Sequence, residues 1–481
     1  MNITNIANDV VKDVQTKKYQ NAAKKIRFLL DSNADIKENW GGITRLALTI
    51  GEFKQAKEAS QKFLNVGPHE PKRIIQCAAI LAEMREVDSA ISLVKPLLNQ
   101  NRTPEVLHFL GTTYAQIGQI ELAKKYLVEL LNIAPNSAIS WLTLSAIHKF
   151  KDGDTLFSKL SANKNQENQP APYWFALGKA YLDMNDEKSA FLSFKKGNMH
   201  MKNNKYIASQ HQAFVDGIIK TQNQNFSENV HSLEQDEKVD PLFIIGAPRS
   251  GTTLLQQILS THTQLNDGGE LMYLSYPIIE IGQQNIRNLN SMNKEQQKDL
   301  LQKVRNDYFE RLQQQFDTKH PCIDKTLNLN HHIGLISKSF PNAPIIRVVR
   351  DVKDTAWSCY RAFFNQGTFW SYDLENIAEY FYHENRLANH WAEIYKDRII
   401  EVSYEDLVNK PEETLTKCLK HIGLSFENEM LSFYKKGGLV QTSSVGQVRN
   451  PINTKSINQT MTIEKELAPF SHHYTNLLEQ K

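Results

Sequence analysis

A glycine-containing turn in the middle of the sequence carries its clearest chemical signal. The apolar residues 242–245 lead into the turn 246–251 (GAPRSG), and a helical pattern begins at Thr252. A turn between a strand and the first turn of a helix points several backbone N–H groups at one place, where the helix dipole adds positive potential. The residues of this segment that we predict to contact an anion are Arg249, Ser250, Gly251, Thr252 and Thr253. The segment therefore predicts a site for a phosphate or a related group.

The cation of this turn is not where a nucleotide-triphosphate loop has it. The ordinary pattern is G-x-x-x-x-G-K-[ST], in which the lysine spans the terminal phosphates. Both glycines are present here, but Thr252 occupies the lysine position and the cation lies inside the loop, at Arg249. This difference argues against Mg-dependent hydrolysis of ATP or GTP. A plain structural corner, which is the other interpretation, has no need for so many anion donors.

The sequence PRSGTT after an apolar strand is similar to the 5′-phosphosulfate loop of the sulfotransferases. The similarity is strongest to the tyrosylprotein-sulfotransferase-like branch, and it extends from about residue 241 to the C-terminus. The resemblance implies transfer of a sulfuryl group from 3′-phosphoadenosine-5′-phosphosulfate to an acceptor hydroxyl, without a metal. It also implies that the turn holds the 5′-phosphosulfate of the donor.

A second segment of the resemblance concerns the far end of the donor. The apolar residues 345–349 are followed by Arg350, and Ser358 comes eight residues later. In sulfotransferases an arginine and a serine at these offsets hold the 3′-phosphate, and a guanidinium binds phosphate through paired hydrogen bonds. The alternative for Arg350 is an ion pair with Asp351 or Asp354.

The resemblance also implies two catalytic residues. Glu270 follows Arg249 by twenty-one residues and matches the glutamate that removes the acceptor's proton; a carboxylate at a helix start is the other interpretation, and His262 is a rival base that we expect to face the core. Lys325 matches the lysine that contacts the bridging oxygen, where negative charge develops as the S–O bond breaks. Leu327 stands where the family more often has proline.

Three further assignments come from the C-terminal part of the chain. The segment TSSVGQVRNPIN resembles one in which a serine lies near the transferring group, and that serine is Ser444. Arg449 is predicted to add positive potential to the donor site, although the family's basic residue often falls one step later. A surface loop is the alternative for both, because serine, glycine and asparagine favour turns. Tyr404 is either a wall of the donor site or a core aromatic residue.

The first half of the chain reads as a repeat array. Residues 104–136 resemble one tetratricopeptide unit, and a second clear unit surrounds Trp174. We therefore predict an α-helical tetratricopeptide solenoid over 1–220, a polar linker over 221–240, and a P-loop-like three-layer α/β sulfotransferase domain with a parallel sheet over 241–481. The array either binds a peptide or protein on its concave surface or serves only as packing.

Composition narrows the class of protein. A net charge of +3 is too small for a chain that coats nucleic acid, and 41% hydrophobic residues are typical of globular domains. The four cysteines are scattered, which predicts buried, reduced thiols. Neither a signal peptide nor an apolar run of about 20 residues is evident, so a cytoplasmic chain is expected. A homodimer is compatible with the resemblance.

Two other functions stay open at this point. A Mg-dependent kinase or nucleotide hydrolase would use the same turn, and a non-catalytic adaptor would use only the repeats. The acceptor of a sulfotransferase is equally open between a tyrosine in a peptide, a carbohydrate, a lipid and a small phenol.

Overall fold

A computed structural model describes residues 3–67, 70–100, 102–162, 164, 168–201, 206–364, 367–437, 439–440 and 448–480. Within these ranges the first half of the chain is helical. Its helices are α1 (Ile3–Gln15), α2 (Tyr19–Asp31), α3 (Asn39–Thr49), α4 (Phe53–Leu64), α5 (Pro71–Glu83), α6 (Val87–Val94), α7 (Pro104–Gln116), α8 (Ile120–Ile133), α9 (Ala138–Ile147), α10 (Thr155–Ser161), α11 (Ala171–Asp183) and α12 (Glu187–Met201).

Successive helices of this half pack in pairs, as tetratricopeptide units do. The pairs α1–α2, α3–α4, α5–α6, α7–α8 and α11–α12 are each in close contact, and α9 packs on both α8 and α11. Small residues allow the close approach: a Cβ at Gly111 would lie 2.7 Å from Cγ of Leu127, and one at Gly178 would lie 2.7 Å from the Phe194 ring. The predicted helical solenoid is confirmed.

The second half contains a sheet and the remaining helices. Its strands are β1 (Leu242–Ile245), β2 (Asn266–Gly269), β3 (Cys322–Asp324), β4 (Ile345–Val349) and β5 (Ile399–Ser403). Its helices are α13 (Ala208–Thr221), α14 (Gln224–Asn229), α15 (Thr252–Leu259), α16 (Ser275–Ile281), α17 (Gln283–Arg287), α18 (Lys294–Gln315), α19 (Ile333–Ser339), α20 (Val352–Tyr360), α21 (Leu374–Ile394), α22 (Tyr404–Asn409), α23 (Pro411–His421), α24 (Phe433–Lys436) and α25 (Ala468–Glu479).

The five strands form one parallel sheet in the order β2-β3-β1-β4-β5, with β1 at its centre. The apolar strands β1 and β4 are almost fully buried, which is why their sequences predicted them. The short edge strand β2 was not predicted, because its sequence NDGG is typical of a turn. It pairs with β3 through backbone, and a side chain on Gly268 would run into the Ile323 carbonyl. Parallel strands end at one edge, so the segments after β1, β2, β3 and β4 lie together.

The predicted linker does not separate the two halves. Val215 and Ile218 of α13, together with Phe226 and Val230, are buried in the same core as Phe243 of β1. Val215 and Ile218 lie three positions apart, and Phe226 and Val230 lie four positions apart, which in each case is the spacing of one helix face. We therefore propose that the second unit begins at α13 rather than at residue 241.

The array packs against the second half along its length. Nη2 of Arg311 in α18 donates to the Ile50 carbonyl at 3.1 Å, and Nδ2 of Asn198 in α12 donates to the Tyr360 carbonyl at 2.9 Å. The described cysteines are buried and free, as predicted. No helix among the described residues is long and apolar enough to cross a membrane.

Candidate active site

The turn after β1 has the backbone that the anion-binding pattern requires. Gly251 has φ +108°, and a side chain there would run into the ring of Tyr404, so only glycine fits. Arg249 also has a positive φ of 69°, which is unusual for a residue with a side chain. Such strain is found at binding sites, where surrounding contacts hold the backbone in place. α15 then starts at Thr252, with its first N–H groups directed at the turn.

Three residues from distant segments meet at this turn. Nε of Arg249 donates to Oγ of Ser358 at 3.2 Å, and Nη1 of Arg350 donates to the Arg249 carbonyl at 3.0 Å. Burial lowers the pKa of Arg249 to about 10, and the charge of Arg350 acts in the same direction. The Arg249 guanidinium is therefore cationic near neutral pH. The structure brings together the residues predicted to hold the two ends of the donor.

Tyr404 joins these groups. Its ring lies 4.7 Å from the guanidinium carbon of Arg350 and covers Gly251 on the other side. Neither aspartate considered as a partner for Arg350 forms an ion pair with it in the described part of the chain: Asp351 caps α20, and Asp354 accepts the backbone N–H of Asn458 at 2.7 Å. Tyr404 is buried beside Arg350 and Gly251, and its role as a wall of the donor site stays a prediction.

A third arginine in this cluster was missed by the sequence reasoning. Arg361 packs over Trp357 at 5.6 Å and donates to Oε1 of Gln459. Burial, with the charges of Arg249 and Arg350, lowers the pKa of Arg361 to about 9. Its position three residues after Ser358, on the same side of a helical turn, is the signal that would have found it. Three guanidinium groups in one place create a strong local preference for a multiply charged anion.

An ammonium and a carboxylate lie side by side at the neighbouring strand ends. Nζ of Lys325 is 2.6 Å from Oε1 of Glu270, and the Lys325 N–H donates to the Gly269 carbonyl at 2.8 Å. The lysine side chain is only 4% exposed, whereas the glutamate is 35% exposed. β3 is adjacent to β1, so Lys325 and the turn follow the ends of neighbouring strands, which lie about 4.8 Å apart. The pair offers a base and a cation without any further group.

The remaining residues singled out in the sequence have different outcomes in the structure. His262 is buried, and its Nε2 lies 2.9 Å from the Ser425 carbonyl, which agrees with the expectation that it faces the core. Nη2 of Arg449 donates to the Gln116 carbonyl of the array at 2.7 Å, so its guanidinium lies against a repeat turn. Its role at the donor site stays a prediction. Ser444 lies outside the described residues.

A cleft of about 1300 Å³ opens between this cluster and the array. One wall contains Arg249, Thr252, Thr253, Arg350, Ser358, Arg361 and Tyr404. The opposite wall comes from the first helices of three successive repeats, namely α7, α9 and α11. The first helices of such repeats line the inner surface of a solenoid, so the array and the anion-binding turn share one cavity.

Comparison with known proteins finds a family-model match in each half of the chain. Residues 241–428 match the model of the sulfotransferase family, and residues 104–137 match that of the tetratricopeptide repeat. Residues 241–428 are a sulfotransferase-family domain. The turn, Glu270, Lys325, Arg350 and Ser358 all lie inside this sulfotransferase domain, whereas Arg449 lies beyond the matched range.

Individual relatives are distant. An uncharacterised protein of Aquifex aeolicus is 28% identical over 76% of this chain, and the chain spans only 49% of that relative. A putative protein-tyrosine sulfotransferase of Caenorhabditis briggsae is 27% identical over 45% of this chain and 79% of the relative. The solved sulfotransferase domain of the Synechococcus PCC 7002 olefin synthase is 22% identical, with a TM-score of 0.37, over 52% of this chain and 97% of its own.

One group of metal-ligand type lies away from this site, between α13, the segment after β3 and α21. His211, His331 and Glu384 converge within the described residues. Oε1 of Glu384 accepts hydrogen bonds from both imidazoles, at 2.8 and 2.6 Å, and Asn330 donates to the other oxygen at 3.1 Å. Burial alone would raise the pKa of Glu384, but the two histidines lower it. The cluster is satisfied as a hydrogen-bonded link between α13 and α21.

Replacing Arg361 by glutamine is expected to weaken binding of 3′-phosphoadenosine 5′-phosphate by about tenfold, because one charged donor of the cluster is lost. The melting temperature of the free protein should stay level or rise, since repulsion among three guanidinium groups is relieved. Calorimetry and thermal unfolding measure the two effects. Unchanged affinity would show that Arg361 does not face the ligand.

Proposed function

We propose that this chain is a sulfotransferase that uses 3′-phosphoadenosine-5′-phosphosulfate as donor. The observation that carries the proposal is the cluster of Arg249, Arg350 and Ser358 at the turn after β1, with the Lys325–Glu270 pair at the next strand ends. Hydrolysing enzymes that act on nucleotide triphosphates place a lysine where this chain has Thr252. A pure adaptor would need neither the buried lysine nor its paired carboxylate.

Each part of the donor has a counterpart in the site. The N–H groups of the turn and of the first turn of α15, with Arg249, Ser250 and Thr253, suit the 5′-phosphosulfate. Arg350 and Ser358 suit the 3′-phosphate, and Tyr404 forms a wall between them. The donor carries several negative charges, which would relieve the repulsion within the arginine cluster.

The chemistry needs one base and one cation. The Glu270 carboxylate takes the proton of the acceptor hydroxyl, the acceptor oxygen bonds to sulfur, and the bond between sulfur and the bridging phosphate oxygen breaks. Lys325 and Arg249 stabilise the negative charge that develops on that oxygen. The scheme requires no metal. Ser444 is predicted to assist at the leaving phosphate.

The direct test is transfer of radiolabelled sulfate from the donor in the presence of EDTA. We expect 3′-phosphoadenosine 5′-phosphate to appear at a rate that an acceptor increases, and no comparable turnover of ATP with Mg²⁺. Turnover of ATP alone would instead favour a kinase or hydrolase.

We further propose that the acceptor is a tyrosine in an extended polypeptide that lies in the cleft. Three helices spaced about 10 Å apart make a wall about 20 Å long, which matches about six extended residues. The C. briggsae relative is named a putative protein-tyrosine sulfotransferase, which points to the same class. Carbohydrates and small phenols are the other outcomes of an acceptor screen.

A bulky side chain on the array side of the cleft should weaken binding of the acceptor without changing binding of the donor product. Ala146 is an exposed cleft residue of α9, and Ala146→Trp is expected to raise the acceptor KM by about tenfold or more through steric exclusion. Donor-product affinity should stay within about twofold. Glu121→Trp, on an exposed position of α8 outside the cleft, is the matched control. Equal acceptor KM values for the two variants would refute a role for this wall.

A further inference from the structure

The proposed base follows a short edge strand of the sheet. β2 has four residues, lies at the sheet edge, and pairs with β3 in a register that shifts between Asp267 and Gly269. Glu270 comes immediately after it. One side of this segment is fixed, because the Gly269 carbonyl accepts the Lys325 N–H. An edge strand has no neighbouring strand on its outer side, so the backbone groups on that side need a partner from another element.

That element is an arginine of the repeat array. Arg85 lies in the turn between α5 and α6, where its φ is +68°. Its Nη1 donates to the Gly268 carbonyl and its Nη2 to the Asp267 carbonyl, both at 2.8 Å. The guanidinium also packs over the ring of Phe316 at 5.5 Å. The planar guanidinium satisfies two successive carbonyls through two different nitrogens held in a fixed geometry, whereas a lysine has a single nitrogen on a flexible stem.

We propose that Arg85 is a positioning residue, through which the repeat array sets the placement of Glu270 against Lys325. The inference rests on the proposed function, since it assumes that Glu270 is the base. Its physical content is that β2 is held between β3 and the guanidinium. Loss of one side lets the base move relative to the acceptor oxygen, and a displacement of about 1 Å lowers rates by about 100-fold.

The test compares donor turnover and donor-product binding in the full chain. Arg85→Ala is expected to lower kcat by about 10- to 100-fold, with the affinity for 3′-phosphoadenosine 5′-phosphate within about twofold of wild type. The kcat of Arg85→Lys should fall between those of wild type and Arg85→Ala, because lysine restores a charged donor group but not the fork. Free guanidinium ion at low concentration should restore part of the kcat of Arg85→Ala. Turnover is followed as formation of the bisphosphate with a tyrosine peptide as probe acceptor, so transfer to peptide and to water both count.

Arg311→Ala is the matched control. Arg311 also crosses from one half of the chain to the other, donates to a backbone carbonyl (Ile50) and packs over an aromatic ring, Tyr276 at 4.6 Å. A general loosening of the array would lower kcat in both variants, and guanidinium would rescue neither selectively. Hydrogen exchange gives an independent readout: amides of residues 266–270 should exchange faster in Arg85→Ala than in Arg311→Ala.

The possible outcomes distinguish a failure of the proposed function from a failure of the proposed role of Arg85. Absence of donor turnover in the wild type would overturn the proposed function and the role of Arg85 with it. Wild-type turnover with an unchanged kcat in Arg85→Ala would overturn the role of Arg85 alone. A parallel loss of kcat and donor-product affinity in Arg85→Ala would also overturn it, because the arginine would then support the fold rather than the base.

Discussion

Glu270→Gln is expected to lower turnover by about 1000-fold while donor-product affinity stays within about threefold of wild type. Glutamine keeps the shape of the side chain and an oxygen able to accept from Nζ of Lys325, whose distance to Oε1 of Glu270 is 2.6 Å. It cannot take a proton from the acceptor hydroxyl. The measurement is single-turnover transfer of labelled sulfate beside calorimetric titration with 3′-phosphoadenosine 5′-phosphate.

A matched carboxylate tests whether the effect is specific. Glu280 also pairs with a lysine, at 2.8 Å from Nζ of Lys303, and it lies in α16 rather than at a strand end. Glu280→Gln should leave kcat within about twofold of wild type, because it removes an ion pair and no base. Turnover that survives in Glu270→Gln would rule the residue out as the base and leave it a structural partner of Lys325.

The second large expected effect is on the affinity for the donor product. Arg350→Ala should weaken binding of 3′-phosphoadenosine 5′-phosphate by about 100-fold or more, since hydrogen bonds to charged groups contribute about 1.5–3 kcal/mol each and 1.4 kcal/mol is tenfold. Arg350→Lys should recover part of the affinity, because it keeps the charge without the fork. Equilibrium titration in EDTA measures all three proteins.

Arg350 also has structural contacts, and these need a control. Its Nη groups donate to the carbonyls of Arg249 and Ser456, so the variant could disturb the turn itself. Thermal unfolding distinguishes this case. Arg386→Ala removes an arginine that pairs with Asp216 at 2.8 Å outside the cleft, and it should leave the affinity unchanged. Equal affinities for wild type and Arg350→Ala would place the 3′-phosphate elsewhere.

The sequence predicted those parts of the fold that depend on local pattern. Buried parallel strands read as continuous apolar runs, so β1, β4 and β5 could be found. The anion-binding turn at 246–251 could be predicted from its two glycines and the consecutive anion donors that follow Pro248. Because such strands end at one edge, Arg350 could be expected near Arg249, whereas Ser358 was expected there from the family resemblance. The structure brings both to Arg249.

Other features depend on contacts that no local pattern records. β2 is a strand only because its backbone pairs with β3, and its sequence has the composition of a turn. Arg85 donates to backbone carbonyls more than 180 positions away, and a backbone carbonyl does not depend on the residue type that carries it, so the sequence does not mark these two hydrogen bonds. Nearly all of α13 falls within the segment predicted as repeat array, although its Val215 and Ile218 are buried in the core that contains Phe243 of β1. These contacts join the two halves of the chain.

The central claim is that the arginine cluster at the turn is a site for the sulfuryl donor. Calorimetric titration with 3′-phosphoadenosine 5′-phosphate in EDTA, beside a titration with ATP and Mg²⁺, tests it most directly. We predict tight binding of the bisphosphate to the wild type and loss of that binding in Arg350→Ala. The titration with ATP and Mg²⁺ should give little heat. Clear binding of ATP with Mg²⁺ and none of the bisphosphate would contradict it.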